Sequence, residues 1–210
     1  MLLNVTAILI GYLLGSIPSA YIAARLSRGI DIREVGVGNM GAANTFREVG
    51  RRKGIIVWAA DVAKGAAAIF VALALGVSEP WVMGAGFAAL LGHSFPVYIG
   101  FKGGKGASTT MGVFLVLAPE AMAITFALMA IPYLITRRVF IAICFVSPIL
   151  PLLIWRFEGS TALIVYSIAL VVFMGLRNIP SPDQFRAIFA RKSATVTEHY
   201  DGDNSFPHSG

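Results

Sequence analysis

Charged side chains are scarce in this chain. They make up 13% of its 210 residues, while 57% are hydrophobic; soluble domains carry about 25% charge. So little charge cannot coat a water-facing surface of this size, which excludes an ordinary soluble domain. The apolar excess excludes a disordered chain. Cysteine occurs once, as Cys144, so a disulfide framework and a cysteine-based metal cluster are both excluded. Histidine occurs three times, at 93, 199 and 208, without metal-ligand spacing, so neither a metal site nor a cofactor is expected. The net charge of +6 comes with too little polar surface for a nucleic-acid partner. What remains is an all-α polytopic membrane bundle, with the lipid bilayer as its surroundings.

A membrane-crossing helix needs about 20 mostly apolar residues. The sequence offers such runs at 3–26, 53–76, 81–98, 119–136, 139–155 and 161–176. The stretch 108–136 is too long for one span. Pro119 marks a helix start, so it divides into a short helix at 108–117 and a full one from 119. The expectation is seven helices, one of them short. Ser16, Pro18 and Ser19 predict packing and a kink in the first. No basic segment precedes that first run, so it is not expected to be a cleaved signal. Residues 1–192 read as one membrane-embedded domain. Residues 193–210 are polar and rich in Gly, Ser and Asp, and are expected to be a disordered tail. No internal repeat is visible.

The distribution of Lys and Arg orients the bundle. Of the 17 such residues, Lys64 lies inside a span and Arg156 in one connecting segment; the other fifteen all fall on the opposite side. Cations accumulate on the cytoplasmic side of membrane proteins. The N-terminus is therefore expected outside and the C-terminus in the cytoplasm. Merging the helices at Pro119 would move Arg137 and Arg138 to the wrong side.

The informative segments share the cationic face. Residues 36–47, GVGNMGAANTFR, hold three glycines within six positions, and by propensity they are expected not to be helical. Asn and Gly tolerate left-handed backbone and leave N–H groups to wrap an anion. Asn39, Gly41, Asn44 and Arg47 are the candidates here, the guanidinium fork of arginine suiting phosphate. The plain alternative is a glycine-rich turn. Residues 92–106, GHSFPVYIGFKGGKG, place Lys102, Gly103, Gly104, Lys105 and Gly106 directly before a helix. N–H groups, two cations and a helix N-terminus make a phosphate-binding arrangement. The spacing is not that of a Walker A loop, and no strand precedes it. Ser108 stands at the helix start, where it binds the ligand or merely caps the helix.

Asp61 and Lys64 lie three apart inside the second span and share a face. Intramembrane ionisable groups are functional candidates by default; the alternative is a neutralised pair that pins the helix. His93, near the cytoplasmic end of the third span, is either a base or ligand contact or a packed histidine. No Ser–His–Asp or Cys–His arrangement offers a nucleophile. The chemistry pointed to is anion handling at the membrane boundary, and for an enzyme, direct transfer from an activated donor.

These segments resemble the bacterial membrane glycerol-3-phosphate acyltransferases that use acyl-phosphate as donor, the PlsY family. The resemblance is carried by GSIPSAYI at 15–22, GVGNMGAANTFR at 36–47, DVAKG at 61–65 and GHSFPVYIGFKGGKG at 92–106. It implies a seven-span fold with its site on the cytoplasmic face of the plasma membrane. It also implies acyl transfer from acyl-phosphate to the 1-hydroxyl of glycerol 3-phosphate, giving lysophosphatidic acid and phosphate. On that reading Arg47, Lys105 and Asn178 are catalytic. Asn39, Gly41, Asn44, Lys64, His93, Lys102, Gly103, Gly104, Gly106 and Ser108 bind substrate.

The chain departs from the family pattern at several places. Val37 stands where the family has serine, and Ala43 where it has threonine. Directly after Arg138, where the family has serine, the segment Val-Phe-Ile-Ala-Ile holds none. Gly175 replaces a histidine, and Pro180 and Pro182 interrupt the segment around Asn178. Two rival readings follow: a paralogue that binds a phospho-ligand with altered specificity or without turnover, and a transporter of a phosphorylated metabolite. The near-total bias of charge to one face argues against the transporter.

Overall fold

A computed structural model of the chain describes residues 1–179. The described residues form helices and connecting segments, with no strand among them. In order these are α1 (Leu2–Ser16), α2 (Ser19–Arg28), α3 (Ala42–Glu48), α4 (Arg51–Ala74), α5 (Glu79–Ser94), α6 (Ala107–Leu117), α7 (Pro119–Thr136), α8 (Val139–Val146), α9 (Leu150–Phe157) and α10 (Thr161–Asn178). Five helical stretches are long and apolar enough to cross a membrane: Leu2–Arg28, Arg51–Ala74, Glu79–Ile99, Pro119–Thr136 and Thr161–Asn178. Ala107–Leu117 and Ile141–Phe157 are shorter apolar helices. The chain divides into two units, Met1–Met174 and Gly175–Gly210. The tail expected at 193–210 lies outside the described residues.

Local chemistry sets the helix limits. Pro18 breaks the first run into α1 and α2, as its position predicts. Pro80 and Pro119 sit in the first turns of α5 and α7, each beside an acidic residue, Glu79 or Glu120. There proline loses no hydrogen bond and the carboxylate meets the positive end of the helix dipole.

The structure corrects the sequence reading in two places. Residues 42–48 are helical, although the 36–47 segment was expected not to be. The glycines end at Gly41, the N-cap, and Ala42, Ala43, Arg47 and Glu48 are ordinary helix formers. Gly54 of α4 receives this helix, for an added Cβ there would lie 2.6 Å from the Phe46 Cα. The helix expected over 139–155 is broken by a 3₁₀ turn at Ser147–Ile149. Pro148 and Pro151 each lack the N–H that a continuous helix would need.

Small residues bring the central helices together, as in membrane bundles generally. Gly11 and Gly15 of α1 lie against Ala85 and Ala89 of α5, and an added Cβ at Gly11 would come within 2.5 Å of the Ala85 carbonyl oxygen. The main core gathers Ile69, Ala85, Leu90, Val113, Phe114 and Leu170. A second, smaller core of Ala20, Ala24, Ile32, Met40, Val49 and Val57 lies under the 29–41 segment. That core gives the glycine-rich loop a fixed floor.

Candidate functional site

The 29–41 loop is braced from within. Buried Asp31 accepts from the Arg33 backbone N–H at 3.0 Å and pairs with the Arg33 Nη2 at 2.7 Å. The hydrogen bonds from the Arg33 guanidinium hold the Asp31 carboxyl below the usual carboxylate range. Arg33 Nη1 donates to the Ile99 carbonyl at 2.9 Å, which ties this loop to the 3₁₀ turn Val97–Ile99. The Arg33 guanidinium also lies 5.3 Å from the Tyr21 ring centroid.

Asn44 is the second brace. Its side-chain nitrogen donates to the carbonyls of Ile32 (3.2 Å) and Val35 (3.1 Å), and its oxygen accepts from the Val37 N–H (3.2 Å). The residue is 1% exposed. Asn44, expected at a phosphate, has its side-chain amide engaged in shaping the loop. Gly36, at φ +61°, turns beside it where a side chain would run into Asn44 and Glu48.

The 100–106 loop folds back onto the end of α5. Gly103 N–H donates to the Ser94 carbonyl at 3.2 Å and Gly104 N–H to the His93 carbonyl at 3.0 Å. These two N–H groups, expected to wrap an anion, are engaged by backbone carbonyls here. The glycines serve close approach instead. A Cβ at Gly104 would strike His93 Nε2 and lie 2.8 Å from the Met40 carbonyl oxygen. Gly106, at φ +90°, is the N-cap of α6, and no side chain caps that helix. Ser108 therefore does not cap α6; it sits half-buried in the first turn, whose N–H groups have no intrahelical acceptor.

Two spaces meet this loop. A polar cleft of about 330 Å³ is lined by Asp31, Arg33, Glu34, Gly38, Lys102 and Gly103. A narrow apolar crevice of about 40 Å³ begins at Ala107 and is walled by Met111 of α6, Met122 and Met129 of α7, Ile143 of α8 and Val171 of α10. Lys105, half-buried, lies in sequence between the two. Thr110 also lines the crevice, its buried hydroxyl without a partner.

Behind the loop is a buried charge cluster. Lys64 Nζ lies 2.8 Å from Asp61 Oδ1 and donates to the Ile17 carbonyl at 3.0 Å. His93 Nδ1 is 3.7 Å from the same Asp61 oxygen. All three side chains are at most 5% exposed. Lys64, expected at the substrate, has its ammonium held inside the bundle instead.

The remaining candidates fall around the loops. Arg47 is exposed in the last turn of α3, Asn39 is half-buried, and Gly41 caps α3. Asn178 closes α10 and belongs to the second unit. Pro180 and Pro182 lie outside the described residues. Sequence reasoning missed Asp31 and Glu34 as cleft residues and counted Arg33 only as a loop charge. The Asp31–Ile32–Arg33 spacing, which lets the carboxylate accept from the backbone two residues on, was the available signal.

A polytopic helical membrane protein with two glycine-rich cationic loops set beside a polar cleft and an apolar crevice is the class that fold and site define. The family model for glycerol-3-phosphate acyltransferase matches residues 5–182. Glycerol-3-phosphate acyltransferase 4 of Dehalococcoides mccartyi is 44% identical over 169 residues, covering 80% of this chain and 91% of that one. The enzyme of the same name from Prochlorococcus marinus strain NATL1A is 37% identical, covering 82% and 87%. The crystal structure of PlsY, an integral membrane glycerol 3-phosphate acyltransferase, in its glycerol 3-phosphate form, superposes with a TM-score of 0.78 at 28% identity, covering 91% of this chain and 92% of that one. A second PlsY structure, in the lysophosphatidic acid form, gives a TM-score of 0.77 at 28% identity, covering 90% of this chain and 93% of that one. The chain belongs to the glycerol-3-phosphate acyltransferase family.

Proposed function

We propose that this protein transfers an acyl group from acyl-phosphate to the 1-hydroxyl of glycerol 3-phosphate, at the cytoplasmic face of a bacterial plasma membrane. The observation that carries the reading is the loop 102–107. One end lines a polar cleft and the other opens an apolar crevice, so one short segment serves a phosphate headgroup and an acyl chain. The methionine-rich wall suits a flexible aliphatic chain. The substrate in the family's name, glycerol 3-phosphate, supplies the acceptor.

Within the cleft Arg33 and Lys102 are offset by Asp31 and Glu34. The net positive charge a phosphate needs comes from Lys105 and Arg47, with the first turn of α6 adding its dipole. Lys105 and Arg47 stabilise charge on the departing phosphate. In the transfer, the acceptor hydroxyl oxygen bonds to the acyl carbon, and the bond from that carbon to the phosphate oxygen breaks. The hydroxyl proton passes to an oxygen of the departing phosphate, so no side-chain base is required.

The test is phosphate release by the purified protein in lipid, given acyl-phosphate with and without glycerol 3-phosphate. Release that depends on glycerol 3-phosphate is expected, and Lys105→Ala should suppress it. No acceptor-dependent release would refute the reading. A second reading, a paralogue that binds without efficient turnover, is favoured by Val37, which stands 59% exposed on the loop where the family pattern has serine. Glycerol 3-phosphate binding without release would select it.

A further inference from the structure

The cluster of Asp61, Lys64 and His93 touches neither the cleft nor the crevice, yet it reaches both glycine-rich loops. Its links run through named atoms. Lys64 Nζ donates to the carbonyl of Ile17 at the break between α1 and α2, where Pro18 leaves the helix without its next N–H. Asp61 Oδ1 receives that ammonium at 2.8 Å and faces His93 Nδ1 at 3.7 Å. The His93 carbonyl accepts the Gly104 N–H, and the far edge of its ring faces the Gly104 Cα. An added Cβ at Gly104 would also lie 2.8 Å from the carbonyl oxygen of Met40, in the first loop. Gly104 thus packs against both His93 and Met40, with no room for a methyl group.

We infer that Asp61, Lys64 and His93 are positioning residues for the substrate-binding loop. The carboxylate fixes the imidazole, and the imidazole fixes the height of Gly104 between the two loops. Lys64 neutralises the carboxylate and ties it to the break in the first span. A charge pair serving only to hold helices together has no need of a ring edge packed on a glycine, nor of a histidine carbonyl in the same loop contact. This inference rests on the reading that the 102–107 loop binds a phosphate-bearing substrate.

The test separates seating from simple stability. In Asp61→Ala/Lys64→Met both charges go together, which avoids an unpaired buried charge. Thermal stability should stay near wild type, while KM for glycerol 3-phosphate rises about tenfold, the worth of one good hydrogen bond, and kcat changes less. Amide exchange of the 100–106 peptide should rise in parallel, and that measurement needs no turnover. Wild-type KM and wild-type loop exchange in the double variant would overturn the inference. Should that variant not fold, His93→Asn retains an N–H toward Asp61 and removes the ring edge from Gly104. It should loosen the 100–106 peptide alone, and unchanged exchange there would also overturn the inference. Altered loop exchange in a protein whose wild type releases no phosphate would sink the proposed activity and leave the seating intact.

Discussion

Replacing Asn44 by alanine is the sharpest test of how the first loop is built. The side chain makes three hydrogen bonds, to Ile32, Val35 and Val37, all between 3.1 and 3.2 Å, and is 1% exposed. Each is a neutral bond to backbone, with a net worth of about 0.5–1.5 kcal/mol, so their joint loss comes to about 2–4 kcal/mol. The loop is a local element, so the loss should appear as local opening rather than global unfolding. At 1.4 kcal/mol per factor of ten, a 3 kcal/mol loss raises loop opening by about 100-fold. Hydrogen–deuterium exchange of the 30–41 peptide in lipid nanodiscs reads this directly, with a peptide from the middle of α4 as internal reference.

Asn44→Asp sharpens the test. It keeps an acceptor for the Val37 N–H but loses both donors and turns a carboxylate toward the Ile32 and Val35 carbonyls. It should open the loop at least as much as alanine does, although it is the closer replacement in shape. A residue that bound substrate directly would behave otherwise: KM would rise with no change in loop exchange. That result, or equal exchange in wild type and Asn44→Ala, would refute the bracing role.

Three further outcomes are expected. Val37→Ser, alone or with Ala43→Thr, should raise acceptor-dependent phosphate release, since a preorganised donor is worth about 2.7–4 kcal/mol in the barrier; an unchanged rate would mean the site has no use for that hydroxyl. The Asp31 carboxyl, lowered by its Arg33 partner, adds loop stability that is fully present above its ordinary pKa and is lost as pH falls through the lowered value. Acid titration of 30–41 exchange should therefore show loosening only below about pH 4, and Asp31→Asn should be loose already at pH 7; matching titrations would refute the pairing. A cysteine placed at Lys105 in a Cys144→Ala background should resist an impermeant thiol reagent added outside intact cells, and labelling from outside would reverse the proposed orientation.

Much of the helical frame was legible because it follows from short-range rules. Apolar runs, Pro119 at a helix start and Pro18 at a break all act within one or two turns. The Asp61–Lys64 pair was legible for the same reason, since residues three apart share a helix face. The short α3 was hidden because one segment holds two instructions, glycines up to Gly41 and helix formers beyond it. The break at Ser147–Ile149 was written in Pro148 and Pro151, where apolar length outweighed the proline signal. Contacts across the bundle were not legible at all. His93 meets Asp61 from another helix, and Asn44 meets carbonyls nine and twelve residues away, distances at which a sequence carries no periodicity.

The glycines before α6 show how one residue type can fit a motif for a different reason. Flexibility before a helix suggests N–H groups offered to an anion, but Gly103 and Gly104 give theirs to Ser94 and His93. What glycine contributes at 104 is the absence of a side chain where His93 and Met40 already fill the space. On the proposed reading, anion binding falls to the lysine ammonium groups and to the first turn of α6, and the glycines determine where those groups stand. This division makes the two kinds of substitution separable. Loss of the Lys105 charge should weaken phosphate binding more than it changes loop exchange. A methyl at Gly104 should displace the loop, so binding and exchange should change together. Identical signatures from Lys105→Ala and Gly104→Ala would mean that the loop binds through its backbone after all.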